Sequence, residues 1–339
     1  MLFVSLIPMQ NNVNYPAFRR FFLFLLRWVL PVVIIWLVIR TLQQKQQDLG
    51  SVWEAIQGAF TGQNGWWLGL TILLTALNWS IEAWKWQVLA RKLESLSFYT
   101  ALRGVLAGQS LGFISQANVG DLTGKMGFLQ AKNRLNSIGA FLLGSTLQFL
   151  VTLFAGTLAY TYFLYRMPER PGVGHFIALG LLWLTTLLTV YVLSLKHKAA
   201  PTLERISWLA SSARFFRVLE TYSSGDVRFL VFLASFRFLT YSIQFLLVLY
   251  GFGVSLPVLD QLTVVWLLFL TKSVIPAFSF LSDLGIRTFS TLYFFSFYRV
   301  DPALVTSASL TIWLLNILLP VLVGIVFVAQ LRYLKNQPA

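Results

Sequence analysis

Apolar runs of roughly 20 residues recur along the chain, separated by short polar and basic segments. Within these runs hydrophobic positions are continuous. A membrane β-barrel would instead alternate apolar and polar positions, so the runs predict helices that cross a bilayer. Phe21 to Ile39 is the first, preceded by Arg19 and Arg20, with Pro31 as a candidate kink. Leu49 to Phe60 is short and mixed and reads as an interfacial segment. Trp66 to about Ala90 is the second span, opening on the aromatic pair Trp66-Trp67 expected at a membrane boundary. Ser137 to Tyr165 follows as 29 residues without a charge, then Val173 to Leu195 after a Pro/Gly turn. Lys196 to Asp226 is basic and partly amphipathic and predicts a surface helix. Arg228 to Gly251 is a further span, and Ala303 to Leu331 is a second run of 29 uncharged residues.

Two segments break the pattern. Phe98 to Arg134 is only moderately apolar and rich in Gly, Gln, Ser and Asn, and Leu256 to Tyr298 contains Lys272 and Pro276. Both are expected to enter the membrane and turn back. With the N-terminus inside, this arrangement places 17 of the 26 basic residues on the cytoplasmic side. Simple crossing by the first broken segment would strand Lys125, Lys132 and Arg134 outside, against the preference of Lys and Arg for cytoplasmic loops. The predicted fold is therefore all-α: a polytopic transmembrane bundle of about six spans plus two re-entrant hairpins, with both termini cytoplasmic. Each half, 21–165 and 173–331, reads span, span, hairpin, long uncharged span. The halves start on opposite sides, which is the layout of an inverted repeat. Simple crossing by all segments is the alternative.

Composition narrows the class. Of 339 residues, 57% are hydrophobic and 11% charged, against about 25% charged in a soluble domain. A soluble globular enzyme, a disordered chain and a fibrous repeat are excluded. The net charge of +14 fits basic cytoplasmic loops facing anionic lipid, and nucleic acid is not an expected partner. Cys is absent and the two histidines are His175 and His197, so no thiol chemistry, metal site or cofactor is expected.

Candidate chemistry sits where charge enters apolar sequence. Asn78, Glu82 and Lys85 lie four and three apart, on one face of the second span. An acid there either faces the bundle interior or forms a local ion pair near the helix end, with Lys85 snorkelling to the interface. Asn118-Val-Gly120-Asp121-Leu-Thr-Gly124-Lys125 places two glycines around an acid and ahead of a base. The glycines suggest a turn at a helix tip, whose free amides suit an anion. The alternative is a hydrated loop whose charges pair with each other. Asp283-Leu-Gly285-Ile-Arg287 repeats the recipe after Pro276. Arg237 lies inside its span with Gln244 on the same face, either paired internally or snorkelling.

Three stretches carry a resemblance: Asn78-Trp-Ser-Ile-Glu82-Ala-Trp-Lys85-Trp86, Phe113 through Lys125, and Ile275-Pro276 through Arg287. In order and spacing the chain resembles the transmembrane region family of lysylphosphatidylglycerol synthase, flippase-like integral membrane proteins, in the stand-alone form of Bacteroidetes-type bacteria. The chain departs from that pattern at Ser115-Gln116-Ala117, where Thr-Pro is usual. It also has Asp121 and Lys125 in place of Glu and Arg, which loses the two-pronged guanidinium fork. In the last motif Asp283 and Thr288 stand where a Glu is usual.

In the full synthases this region moves an aminoacylated lipid that a separate soluble domain makes. Only eight residues follow Leu331, so no transferase domain and no enzymatic activity are expected. The expectation is a lipid translocase of a bacterial inner membrane that binds a phospholipid or lipid-linked headgroup. Its site would be built from Asn118, Gly120, Asp121, Gly124, Lys125, Asp283, Gly285 and Arg287, with Glu82 and Arg237 behind them. Asp121, Lys125, Asp283 and Arg287 are expected to meet at one cavity. Two other readings stay open: a membrane enzyme of lipid-linked glycosyl or phosphoryl transfer, and a non-transporting partner of a lipid-modifying synthase.

Overall fold

The computed structural model describes residues 65–115, 119–166, 171–195, 213–275 and 280–331. The expected span over 21–39, the interfacial segment over 49–60, and Asn118 lie outside the described residues. Among those described, all regular structure is helical. The helices are α1 (Gly65–Ala90), α2 (Phe98–Ile114), α3 (Val119–Met126), α4 (Ser137–Arg166), α5 (Val173–Ser194), α6 (Ala213–Glu220), α7 (Ser224–Gly251), α8 (Val258–Val274), α9 (Phe280–Ser296), α10 (Pro302–Trp313) and α11 (Leu319–Val328). Four stretches are long and apolar enough to cross a membrane: α4, α5, α7 and the run Leu304–Val328 through α10 and α11. On α5, Leu181, Leu184, Leu187 and Leu188 are each more than half exposed. Water would not tolerate an apolar surface of that extent, whereas lipid covers it.

Local sequence sets the helix boundaries. Ser97 opens α2 by accepting the Thr100 amide at 3.1 Å. Ser223 and Asp226 form a capping box at the start of α7, and Lys92 ties that box to the end of α1 through a 2.9 Å ion pair. Tyr222, fully buried, donates its hydroxyl to the Leu89 carbonyl at 2.7 Å. Burial raises the phenol's pKa and keeps it a donor.

The last uncharged run is not one regular helix. A π-helical turn over Leu314–Leu318 separates α10 from α11. Pro320 supplies the cause: it has no amide to give the carbonyl four residues back, that of Asn316. That carbonyl accepts instead from Trp79 Nε1 at 3.2 Å, and the Asn316 side chain meets Asn78 at 3.2 Å.

The two longest regular helices without such a break, α4 and α7, frame the bundle together with α1. Helices α1 and α7 run antiparallel and touch along their whole length. Trp84 packs on Phe229, Gln244 Nε2 donates to Thr75 Oγ1 at 2.9 Å, and Trp67 meets Tyr250. Such interhelical hydrogen bonds contribute about 0.6 kcal/mol each in a membrane setting.

Both broken segments are helical hairpins, α2–α3 and α8–α9. Helix α8 starts beside the end of α4, where Asp260 accepts from Tyr162 at 3.2 Å and pairs with Arg166 at 3.5 Å. It ends opposite Thr152, near the middle of α4, with Lys272 and Ser273. Helix α2 starts beside the end of α11, where Arg103 donates to Gln330 at 2.6 Å. It ends with Phe113 against Trp313, near the middle of the Pro302–Val328 run. Helix α4 runs antiparallel to α1, whereas α11 runs parallel to it, so the hairpins enter from opposite ends of the bundle.

Small residues allow this packing. A Cβ on Gly156 of α4 would lie 2.6 Å from Leu270 of α8, and a Cβ on Gly324 of α11 would run into the Leu106 carbonyl of α2. Helix α4 thus receives α8, and α11 receives α2.

Candidate functional site

Glu82 sits at the centre of a cavity of about 410 Å³. It is 6% exposed, on the face of α1 turned toward α3, α4 and α7. Its Oε2 pairs with Lys85 Nζ at 2.6 Å, one turn along the same helix. Its Oε1 accepts from Lys125 Nζ of α3 at 2.9 Å. Arg237 of α7 approaches Oε2 at 3.3 Å. Lys125 also holds Asp121 Oδ2 at 2.9 Å, along the i,i+4 face of α3. One carboxylate therefore gathers three cations, and a second carboxylate shares one of them.

Aromatic rings shield the cluster. Lys125 Nζ lies 5.2 Å from the Phe141 ring centre and 5.8 Å from that of Trp86. Arg237 lies 5.3 Å over Trp79. These ring faces attract cations and replace part of the water that burial removes. Gln148 of α4 completes the shell, accepting from Lys85 Nζ at 3.2 Å and donating to the Ala234 carbonyl at 3.3 Å. Lys272 and Ser273, at the end of α8, close the wall from the other hairpin.

The position of Lys125 is set by backbone contact. A Cβ on Gly124 would collide with the backbone of Gly108, and one on Gly120 with that of Leu111 and Gly112. The expectation that these glycines free a turn at a helix tip is corrected here. Both lie inside α3, and their use is close approach to α2. The amide of Gly120, expected to serve an anion, donates to Ser115 Oγ at 2.9 Å.

Of the residues singled out in the sequence, Glu82, Asp121, Lys125 and Arg237 come together. Lys85 is buried in the cluster rather than snorkelling. Gly120 and Gly124 lie directly behind it. Arg287, buried in α9, donates to the Tyr241 hydroxyl at 2.9 Å. It is not among the described residues that line the cavity. Tyr241 stands one turn beyond Arg237 on α7, so Arg287 occupies the neighbouring level of the bundle. Asp283 and Gly285 fall in α9, and their side chains lie outside the described set, as does Asn118.

Sequence reasoning missed Gln148 and the ring of Phe141. The signal for Gln148 was available: it is a lone amide in an uncharged run, and such a residue in a span faces a polar interior. Among the described residues, no group of three or more His, Asp or Glu stands ready to hold a metal ion. No protein family, curated protein or solved structure matches this chain.

Proposed function

We propose that this chain is a lipid translocase of the flippase type in a bacterial inner membrane. The observation that carries the reading is the Glu82–Lys125–Arg237 cavity, a charged hollow inside an apolar bundle. Ionisable groups at such depth are costly in lipid and are kept where a polar cargo passes. In this reading α1, α4, α5, α7 and α10–α11 span the bilayer together with the segment 21–39, and the two hairpins are re-entrant. Their entry from opposite ends, and the ends of their first arms beside the middle of the long helices, support this. So does the exchange of hairpin arms between halves, which is the packing that an inverted repeat would produce. The basic connections 91–97 and 127–136 would then face the cytoplasm, and the cavity would lie in the cytoplasmic half.

A polar headgroup would exchange its water for Lys85, Lys125 and Arg237, while its acyl chains stayed in lipid. The resemblance to the synthase transmembrane region points the same way. Both carboxylates of the cavity are bound to Lys125, so neither is poised as a catalytic base, which favours binding over chemistry. The test is fluorescent-lipid flipping in liposomes at matched amounts of folded protein. Wild-type chain should accelerate flipping, and Asp121→Asn and Arg237→Gln should slow it at least about tenfold, a change worth about 1.4 kcal/mol. Equal rates in all three, or no acceleration by the wild type, would refute the proposal.

A further inference from the structure

We infer that the cavity selects a headgroup whose net charge is negative: a phosphate diester without a compensating amine. The inference rests on the translocase reading for the lipid and on the cavity itself for the charge. The cluster of Glu82, Asp121, Lys85, Lys125 and Arg237 contains two carboxylates and three cations, leaving one positive charge over. Lys272 also lines the wall, but it is engaged elsewhere and the balance does not depend on it.

Hydrogen-bonding capacity is unbalanced in the same direction. Both Glu82 oxygens and the Gln148 carbonyl oxygen are already taken by cations. Asp121 gives one oxygen to Lys125. Donors remain: the Arg237 guanidinium has five N–H groups and meets Glu82 through one nitrogen, and its Nε is buried without an acceptor. Trp86 Nε1, on the same wall, is also buried without an acceptor. The buried donors without acceptors, Arg237 Nε and Trp86 Nε1, fit a group that accepts. A phosphate diester has that character, with one negative charge and no N–H or O–H of its own. It would bring the cluster to neutrality, the state that a low-dielectric interior favours.

An aminoacylated headgroup has the opposite character. It brings ammonium donors and net positive charge to a site already holding one cation too many. The cargo that the resemblance implies is therefore the one that this cavity disfavours. A zwitterionic headgroup falls between, because its amine needs an acceptor and Asp121 has only part of its carboxylate to offer.

The test is native mass spectrometry on the full chain in detergent, exposed to equimolar phosphatidylglycerol, phosphatidylethanolamine and lysyl-phosphatidylglycerol. Glycerophosphoglycerol, a soluble phosphate diester, serves as the competitor. Phosphatidylglycerol should be retained about tenfold over each of the other lipids. Arg237→Gln should bring that ratio close to one, whereas Arg237→Lys, which keeps the charge, should preserve most of it. Equal retention of the three lipids, or preference for the lysylated one, would overturn the inference and leave the lipid reading standing. If glycerophosphoglycerol displaced phosphatidylglycerol at equal concentration, the anion site would stand and the lipid reading would fall.

Discussion

Glu82 of α1 and Tyr241 of α7 each accept a hydrogen bond from a buried basic side chain. Each base comes from the second arm of a helical pair, Lys125 from α3 and Arg287 from α9. Lys125 Nζ lies 2.9 Å from Glu82 Oε1, and Arg287 NH1 lies 2.9 Å from the Tyr241 hydroxyl. The two contacts differ in chemistry: an ionic one at Glu82 and a neutral hydroxyl acceptor at Tyr241.

That difference predicts unequal tolerance. Glu82→Gln should leave Lys85, Lys125 and Arg237 without their shared partner. Loss of one member of a buried ion pair costs about 3–5 kcal/mol, so folded yield and unfolding midpoint should both drop. Tyr241→Phe removes one hydrogen bond from Arg287, which keeps a further interaction, and should cost about 0.5–1.5 kcal/mol. Unfolding in mixed micelles reads both, and a larger loss in Tyr241→Phe than in Glu82→Gln would contradict the assignment.

The pair Lys125–Glu82 should also show strong coupling. In a cycle of Glu82→Gln, Lys125→Gln and the double variant, the double should be more stable than the sum of singles predicts. Direct contacts of this kind couple by about 0.5–3 kcal/mol. Additive losses would mean that Lys125 is held by Asp121 alone.

Gly124→Ala should push α3 away from Gly108 and carry Lys125 with it. Overpacking of this kind costs about 1–3 kcal/mol. Gly180→Ala on α5, where an added Cβ meets nothing within 4 Å, is the matched control and should be neutral or mildly stabilising. Flipping rates should fall in the first and hold in the second. Equal behaviour would mean that the backbone contact does not position the site.

Topology is open to a direct test. A cysteine at position 132, just past α3, should resist an impermeant thiol reagent in intact cells, while one at position 301, between α9 and α10, should be labelled. The chain has no native cysteine to interfere. Labelling at position 132 from outside would require α2 and α3 to cross the membrane rather than turn back.

How far the sequence reveals this arrangement depends on the kind of signal. Helix positions were legible, because long apolar runs and their breaks fix them: 137–165 appears as Ser137–Arg166 and 173–195 as Val173–Ser194. The face shared by Glu82 and Lys85 was legible from helical spacing. Arg237 and Gln244 were read correctly as sharing a face, and that face turns to α1. The partners were not legible. Arg237 could have met any acid, and nothing in its own helix names Glu82. Likeness between two motifs suggested that Asp121, Lys125, Asp283 and Arg287 would meet; Asp121 and Lys125 do, Arg287 sits on Tyr241 one turn beyond Arg237, and the Asp283 side chain lies outside the described set. The π-helical turn was missed although Pro320 was in view. A proline breaks one hydrogen bond, but whether the helix bends, ends or widens depends on what the freed carbonyl finds, and here it finds Trp79.

The glycine contacts between α2 and α3 have a mechanical consequence. Gly108, Gly120 and Gly124 bring the two arms backbone against backbone. Close backbone contact should make the hairpin move as a single blade. Asp121 and Lys125 are fixed to that blade, whereas Glu82, Lys85 and Arg237 belong to the frame around it. Any displacement of the blade therefore breaks the contacts between Lys125 and Glu82 before it disturbs anything within the hairpin, so the ion pair works as a latch set by a part that can only move whole.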